Sequence, residues 1–134
     1  MTDPHPPARR LRLFVIDDDQ AVIDLLVQRL GTRYDVGGTT KPTRGVEQVT
    51  LFGADLVLCD IDMPGMSGDR MARALRSDPR TAAVPIVYLT AMLPAGDTST
   101  TLGGAFGAHV AISKSASIEA LLKLVKEALA RRTA

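Results

Sequence analysis

Short apolar runs alternate along this chain with segments whose apolar residues recur every three or four positions. "LRLFVI" (11–16) predicts a strand. "QAVIDLLVQRL" (20–30) places Val22, Leu25, Leu26 and Arg29 or Leu30 at helical spacing, with Gly31 as its stop. "YDVGG" (34–38) predicts a weak strand, because two glycines cost it packing and backbone entropy. "PTRGVEQVTLF" (42–52) predicts a mediocre helix with Pro42 at a tolerated first-turn position. "DLVLCD" (55–60) is a strong strand, apolar on both faces, followed by the breaker-rich turn "MPGMSG" and the helix "DRMARALRS" (69–77). "VPIVYLT" (84–90) and the shorter "HVAIS" (109–113) are further strands. "SIEALLKLVKEALARR" (117–132) is the clearest helix, with Ile118, Leu121, Leu122, Val125 and Leu129 on one stripe and arginines at its negative end. Between the last two strands, "AMLPAGDTSTTLGGAFGA" (91–108) is expected to hold a helix, although its threonines and glycines are weak helix formers.

Strict alternation of strand and helix implies parallel strands joined by right-handed crossovers. The fold class is therefore α/β, in three αβα layers around a doubly wound, five-stranded parallel sheet. In such sheets a ligand binds beyond the carboxyl ends of the strands, where the winding reverses. The polar residues that end the strands should accordingly converge.

Composition narrows this picture. At 134 residues the chain has the size of one domain with a core of its own. Residues 1–9, with three prolines, predict a disordered tail ahead of a domain over 10–132. A net charge of +1 offers no electrostatic case for nucleic acid, and no apolar run is long enough to span a membrane. The start lacks the apolar core of a signal peptide, so a cytoplasmic location is expected. Cys59 cannot form an internal disulfide and reads as a small buried hydrophobe.

The residues at the strand ends carry the chemistry. Strand one ends in Asp17, Asp18 and Asp19, strand three in Asp60, strand four in Thr90, and strand five in Ser113 and Lys114. Asp19, just ahead of "QAVIDLL", is most simply a helix N-cap. Each of the others has an ordinary structural explanation when taken alone. Together they occupy one edge of one sheet. Carboxylates from Asp17, Asp18 and Asp60 in one crevice repel one another, and a hard divalent cation resolves that conflict. Magnesium prefers a few carboxylates, retained waters and phosphate oxygens. Soft ligands are lacking, since Cys59 should point away from the edge and His5 and His109 lie far apart in sequence. A carboxylate beside magnesium, a lysine and a threonine hydroxyl suits a phosphoryl group, with Asp60 attacking to form an aspartyl phosphate. Asp60 and Asp62 also fit the Asp-x-Asp pair of a haloacid-dehalogenase-like phosphatase. That enzyme normally carries the pair on its first strand, whereas here the acids lie upstream and little chain remains for a cap. A small-ligand module without phosphotransfer is a third reading, which leaves Thr90 and Lys114 together unexplained.

"VIDDDQ", "LVLCDIDMPGMSG", "PIVYLTA" and "AHVAISK" together resemble the receiver domains of two-component response regulators, the family of the bacterial chemotaxis regulator. The similarity runs from about Arg10 to Arg131. It implies the flavodoxin-like strand order 2-1-3-4-5. It also implies Asp60 as phosphoacceptor, with Mg2+ held by Asp17, Asp18, Asp60 and the main-chain carbonyl of Asp62. Thr90, Ala91 and Lys114 would read the phosphate. The implied donor is a sensor histidine kinase or a histidine phosphotransfer protein, and weak self-phosphorylation and autodephosphorylation are the only catalysis expected.

Two positions depart from the family. Ser115 stands where a proline commonly follows the lysine, which puts a cis peptide there in doubt. Ala111 stands where an aromatic is common, so activation should run through Thr90, Lys114 and the glycine-rich segment 95–107, expected to be the most mobile part of the domain. No DNA-binding module follows Arg132. Output is therefore expected through an unidentified downstream protein or phosphorylation-dependent homodimerisation, without nucleic acid or membrane; a receiver cut from a larger regulator would look the same.

Overall fold

The computed structural model describes residues 10–91, 100–102 and 109–131. Its elements in chain order are β1 (Arg12–Ile16), α1 (Gln20–Leu30), β2 (Asp35–Thr39), α2 (Gly45–Phe52), β3 (Leu56–Asp60), α3 (Gly68–Ser77), β4 (Ile86–Thr90), β5 (Thr100–Leu102), β6 (His109–Ser113) and α4 (Ile118–Arg131). A 3-10 turn at Pro42–Arg44 leads into α2. Strands β2-β1-β3-β4-β6 form the expected parallel sheet of five in the order implied by the resemblance. No helix among the described residues is long and apolar enough to cross a membrane.

Among the described residues, two helices cover each face. Ile23, Leu26 and Leu30 of α1 pack with Leu121, Val125 and Leu129 of α4 against Leu13, Val15, Leu56, Leu58 and Ile112. Val49 of α2 with Met71, Ala72 and Leu75 of α3 cover Phe14, Ile16, Val57, Cys59, Ile86 and Tyr88. The central strands β3 and β4 are buried at every position, which explains why they read as continuous apolar runs rather than alternating ones. Cys59 lies in the second cluster as a fully buried side chain, as expected of a small hydrophobe.

Local signals set the element ends. Asp19 caps α1, its Oδ1 accepting the Ala21 N–H at 2.9 Å. Ser67 caps α3 through the Arg70 N–H. Gly53 ends α2 in the left-handed region at φ 71°. Glycine in β2 does more than weaken the strand. A Cβ on Gly37 would come within 2.8 Å of the Phe52 ring, and one on Gly38 within 2.8 Å of Ile23, so these glycines let α2 and α1 seat closely on the sheet.

Where a helix is expected within 91–108, the described residues 100–102 are a strand instead. Thr100–Leu102 form β5, which pairs antiparallel with β6 at the sheet edge, in register Thr100↔Ala111 and Leu102↔His109. Branched threonines favour an extended backbone. The rest of that segment, like the tail 1–9, lies outside the described residues, and so does the mobility expected of 95–107.

Candidate functional site

The chain winds from β1 out to β2, then returns across β1 to β3, so the sheet reverses direction between β1 and β3. At that reversal the helices leave on opposite faces and open a crevice at the carboxyl edge. The pairings Ile16↔Cys59, Asp60↔Leu89 and Thr90↔Ser113 bring the ends of β1, β3, β4 and β6 to one level. Asp17 is the first residue past β1, Asp60 the last of β3, Thr90 the last of β4 and Lys114 the first past β6.

Their side chains meet. The Lys114 ammonium lies 2.9 Å from Asp17 Oδ2 and 3.3 Å from Asp60 Oδ1, reaching from the end of β6 past β4 to the ends of the paired strands β1 and β3. Carboxylate oxygens of Asp17, Asp18 and Asp60 all lie within 4.8 Å of one another. Asp17 is fully buried; its Oδ1 accepts the Asp19 N–H at 2.9 Å, whereas no hydrogen bond is aligned on Oδ2, whose contact with Lys114 is an ion pair. Asp60 is 5% exposed, and its Oδ1 accepts a long 3.4 Å bond from the Asp62 N–H. Asp18 faces solvent.

Burial pushes the Asp60 carboxyl up to about 6, reinforced by the Asp17 charge and a hydrogen bond shared with Asp18 and opposed by Lys114. Burial works to lower the Lys114 pKa, but Asp17 and Asp60 outweigh it and hold the ammonium charged. The Cys59 thiol is raised, first by burial and then by Asp60 and Asp17, and stays protonated. Among the described residues, Lys114 thus pairs with two of the three clustered carboxylates. A buried oxygen without an aligned donor, amid excess negative charge and oxygen ligands only, fits a hard divalent cation.

The remaining expected residues fall around this centre. Asp62 is exposed and, with Met63, Pro64 and Ser67, lines a shallow hollow beside the site; its side chain does not join the carboxylate cluster. Gly65 turns this loop at φ 83°. Gly68 returns it toward the sheet, its N–H bonded to Ile61 O at 2.7 Å, and a Cβ there would meet Asp60 O at 2.9 Å. Thr90 is buried at the site edge and Ala91 is exposed just past it. Ala111 is buried and pairs in register with Tyr88, so an aromatic stands on the neighbouring strand. No peptide bond among the described residues is cis, so Lys114–Ser115 is trans.

Sequence reasoning named Ser113 only as a strand end. In the structure Ser113 is buried, and its Oγ accepts the Ser115 N–H at 3.0 Å, beside the lysine. Serine two positions before a turn amide, as in "SKS", is the signal that points to it.

A sequence profile described as the response regulator receiver domain matches residues 13–126. The DNA-binding dual master transcriptional regulator RpaA of Synechocystis is 33% identical over 123 residues, covering 91% of this chain and 50% of that protein. The DNA-binding response regulator MtrA of Mycobacterium tuberculosis is 35% identical over 123 residues, covering 91% of this chain and 52% of its own. The chain therefore spans about half the length of these curated relatives. Among solved structures, the chemotaxis protein CheY4 of Vibrio cholerae superposes with a TM-score of 0.76 at 21% identity, over 90% of this chain and 99% of that one, a likeness of fold. The expectation that nucleic acid plays no part is not supported, because both relatives are described as DNA-binding. The charge balance of these 134 residues does not bear on what a longer protein contacts.

Proposed function

The chain belongs to the response regulator receiver family, a family of signalling domains rather than enzymes, and from that premise we propose that Asp60 is its phosphoacceptor. The observation that carries the reading is the Lys114 ammonium lodged between Asp17 and Asp60, at 2.9 and 3.3 Å, in a crevice that also holds Asp18. Asp17, Asp18, Asp60 and the carbonyl of Asp62 would hold Mg2+. When bound, the ion supplies positive charge for the phosphoryl oxygens.

Asp60 is the carboxylate placed to attack. Its oxygen forms a bond to phosphorus while the bond from phosphorus to a histidine nitrogen of the donor breaks, its electron pair staying on the imidazole. Lys114 offers its charge to the incoming phosphoryl oxygens, and the Thr90 hydroxyl donates to one of them. The site lies in an open crevice, so water can later attack phosphorus and return Asp60 to a free carboxylate. The donor is a sensor histidine kinase or a histidine phosphotransfer protein, in the cytoplasm.

The DNA-binding relatives and the half-length coverage favour a receiver that sits within a larger transcriptional regulator. A stand-alone regulator acting through a protein partner or by homodimerisation is the second reading, supported by the receiver profile match over residues 13–126 and the five parallel strands. The phosphatase alternative loses its basis because the Asp62 side chain stays outside the carboxylate cluster.

Incubation with acetyl phosphate and Mg2+, followed by intact mass measurement, tests the acceptor. One phosphoryl group should be gained, and Asp60→Asn or chelation should abolish the gain. Stable labelling of the Asp60→Asn protein would reject the assignment.

A further inference from the structure

Lys114 spans two carboxylates from the first residue beyond β6, where the chain has already left the ladder. A long, flexible side chain reaches one fixed position only if its backbone is held. Here the backbone is held on consecutive residues. The Lys114 N–H donates to Thr90 O at 2.8 Å, and the Ala116 N–H to Ser113 O at 3.0 Å. Between them, the Ser115 N–H donates to Ser113 Oγ at 3.0 Å. Ser113 therefore takes two of these amides, one on its carbonyl and one on its hydroxyl, and the lysine peptide is enclosed by them. Ser113 is itself 3% exposed and lies level with Thr90 on the neighbouring strand, so it is an anchored base for the turn.

Packing alone does not account for a hydroxyl here. The adjoining β6 positions, Ala111 and Ile112, are apolar and fully buried, and an alanine at 113 would continue them. What the hydroxyl adds is a bond to an amide that borders Lys114. A serine oxygen that accepts the N–H two residues on closes a side-chain turn and restricts the residue between.

We infer that Ser113 is a positioning residue for phosphoryl transfer: by holding the Ser115 amide, it keeps Lys114 aimed between Asp17 and Asp60. This rests on the reading of Asp60 as phosphoacceptor.

The test measures the rate of labelling by acetyl phosphate at saturating Mg2+ in the full chain. Ser113→Ala should label about threefold to tenfold more slowly, the range that one neutral hydrogen bond corresponds to. Ser113→Thr, which keeps the hydroxyl, should restore the rate to within about twofold. In a Lys114→Ala background, Ser113→Ala should change the residual rate by less than about twofold, since the group it aims is gone. A serine of merely structural value would slow both backgrounds alike, which would overturn the inference. Amide exchange supplies a readout that needs no labelling and no variant: the Ser115 N–H of the wild-type protein should exchange at least about tenfold more slowly than an unprotected amide. Rapid exchange there in the folded protein would overturn the proposal even if Ser113→Ala does not fold. Wild-type labelling lost in Asp60→Asn, with Ser113→Ala at the full rate, would reject the role of Ser113 and leave the acceptor in place. Absence of any labelling of the wild type would reject both.

Discussion

The two ends of the sheet both hold buried aspartates, and they use them in opposite ways. At the amino end, Asp55 is nearly buried and its Oδ2 accepts the Arg12 N–H at 2.8 Å. Arg12 also donates to Phe52 O at 2.8 Å, and although its Nε lacks a hydrogen bond, the guanidinium lies over the Phe52 ring at 5.7 Å. The carboxylate there meets a backbone amide, beside a guanidinium occupied by its own partners. At the carboxyl end Asp17 and Asp60 share the Lys114 ammonium with Asp18 close by, and burial and the Asp17 charge raise the Asp60 carboxyl. The first carboxylate finds its donor within the chain and stabilises it. The second end is left with surplus negative charge, which costs the fold stability and suits a cation.

Substitutions that remove one carboxylate from each end should therefore shift stability in opposite directions. Asp55→Ala leaves the Arg12 N–H without its acceptor and should cost about 1–3 kcal/mol in denaturant unfolding, with phosphorylation at its normal rate. Asp60→Asn removes a charge that is held against its surroundings. Burial and the Asp17 charge hold that carboxyl above its ordinary range, so the metal-free Asn protein should be more stable than the wild type at pH 7. Loss of stability in both variants would remove the distinction between the two ends.

The same carboxyl sets a pH dependence. Because folding raises its pKa, the folded chain binds this proton more tightly than the unfolded chain does. Its contribution to stability is full below about 4, falls as pH rises toward 6 and is then constant. Mg2+ needs the ionised form, so its affinity should climb as pH rises through about 6 and level off above. Calorimetric titrations from pH 5 to 8 measure this, and Asp60→Asn should flatten the curve. An affinity in the wild type that does not change with pH would break the link between the raised carboxyl and the metal.

Most of this architecture is legible in the amino-acid sequence, for physical reasons that differ by element. Asp19 and Gly31 bracket α1, and the helix runs between them over 20–30 as expected. The strand ends are legible because alternation forces parallel strands, which bring Asp17, Asp60, Thr90 and Lys114 to one edge. Local signals mislead where tertiary contact decides. The glycines of β2 look like weaknesses, yet they make room for Phe52 and Ile23. Residues 100–102 form a strand that pairs with the edge of β6, and the threonines favour an extended backbone without indicating that edge as their partner. Ser113 escapes notice because its role depends on an N–H two residues away rather than on side-chain type.

The smallest expected effect concerns Asp62, which stands two residues from Asp60 but on the solvent side of the same comparison. Its N–H reaches Asp60 Oδ1 while its carboxylate is exposed beside Pro64 and Ser67. An asparagine keeps the backbone contact and removes only the charge. That charge can repel an anionic donor on approach, or hold a water that attacks the aspartyl phosphate. At a solvated distance such repulsion amounts to about 1 kcal/mol, which is a several-fold change in rate. Asp62→Asn should therefore shift phosphorylation or dephosphorylation several-fold, as followed by intact mass over time, with Mg2+ affinity nearly unchanged. Complete loss of phosphotransfer with the fold and Mg2+ binding preserved would give the second aspartate a catalytic role and revive the two-aspartate phosphatase chemistry.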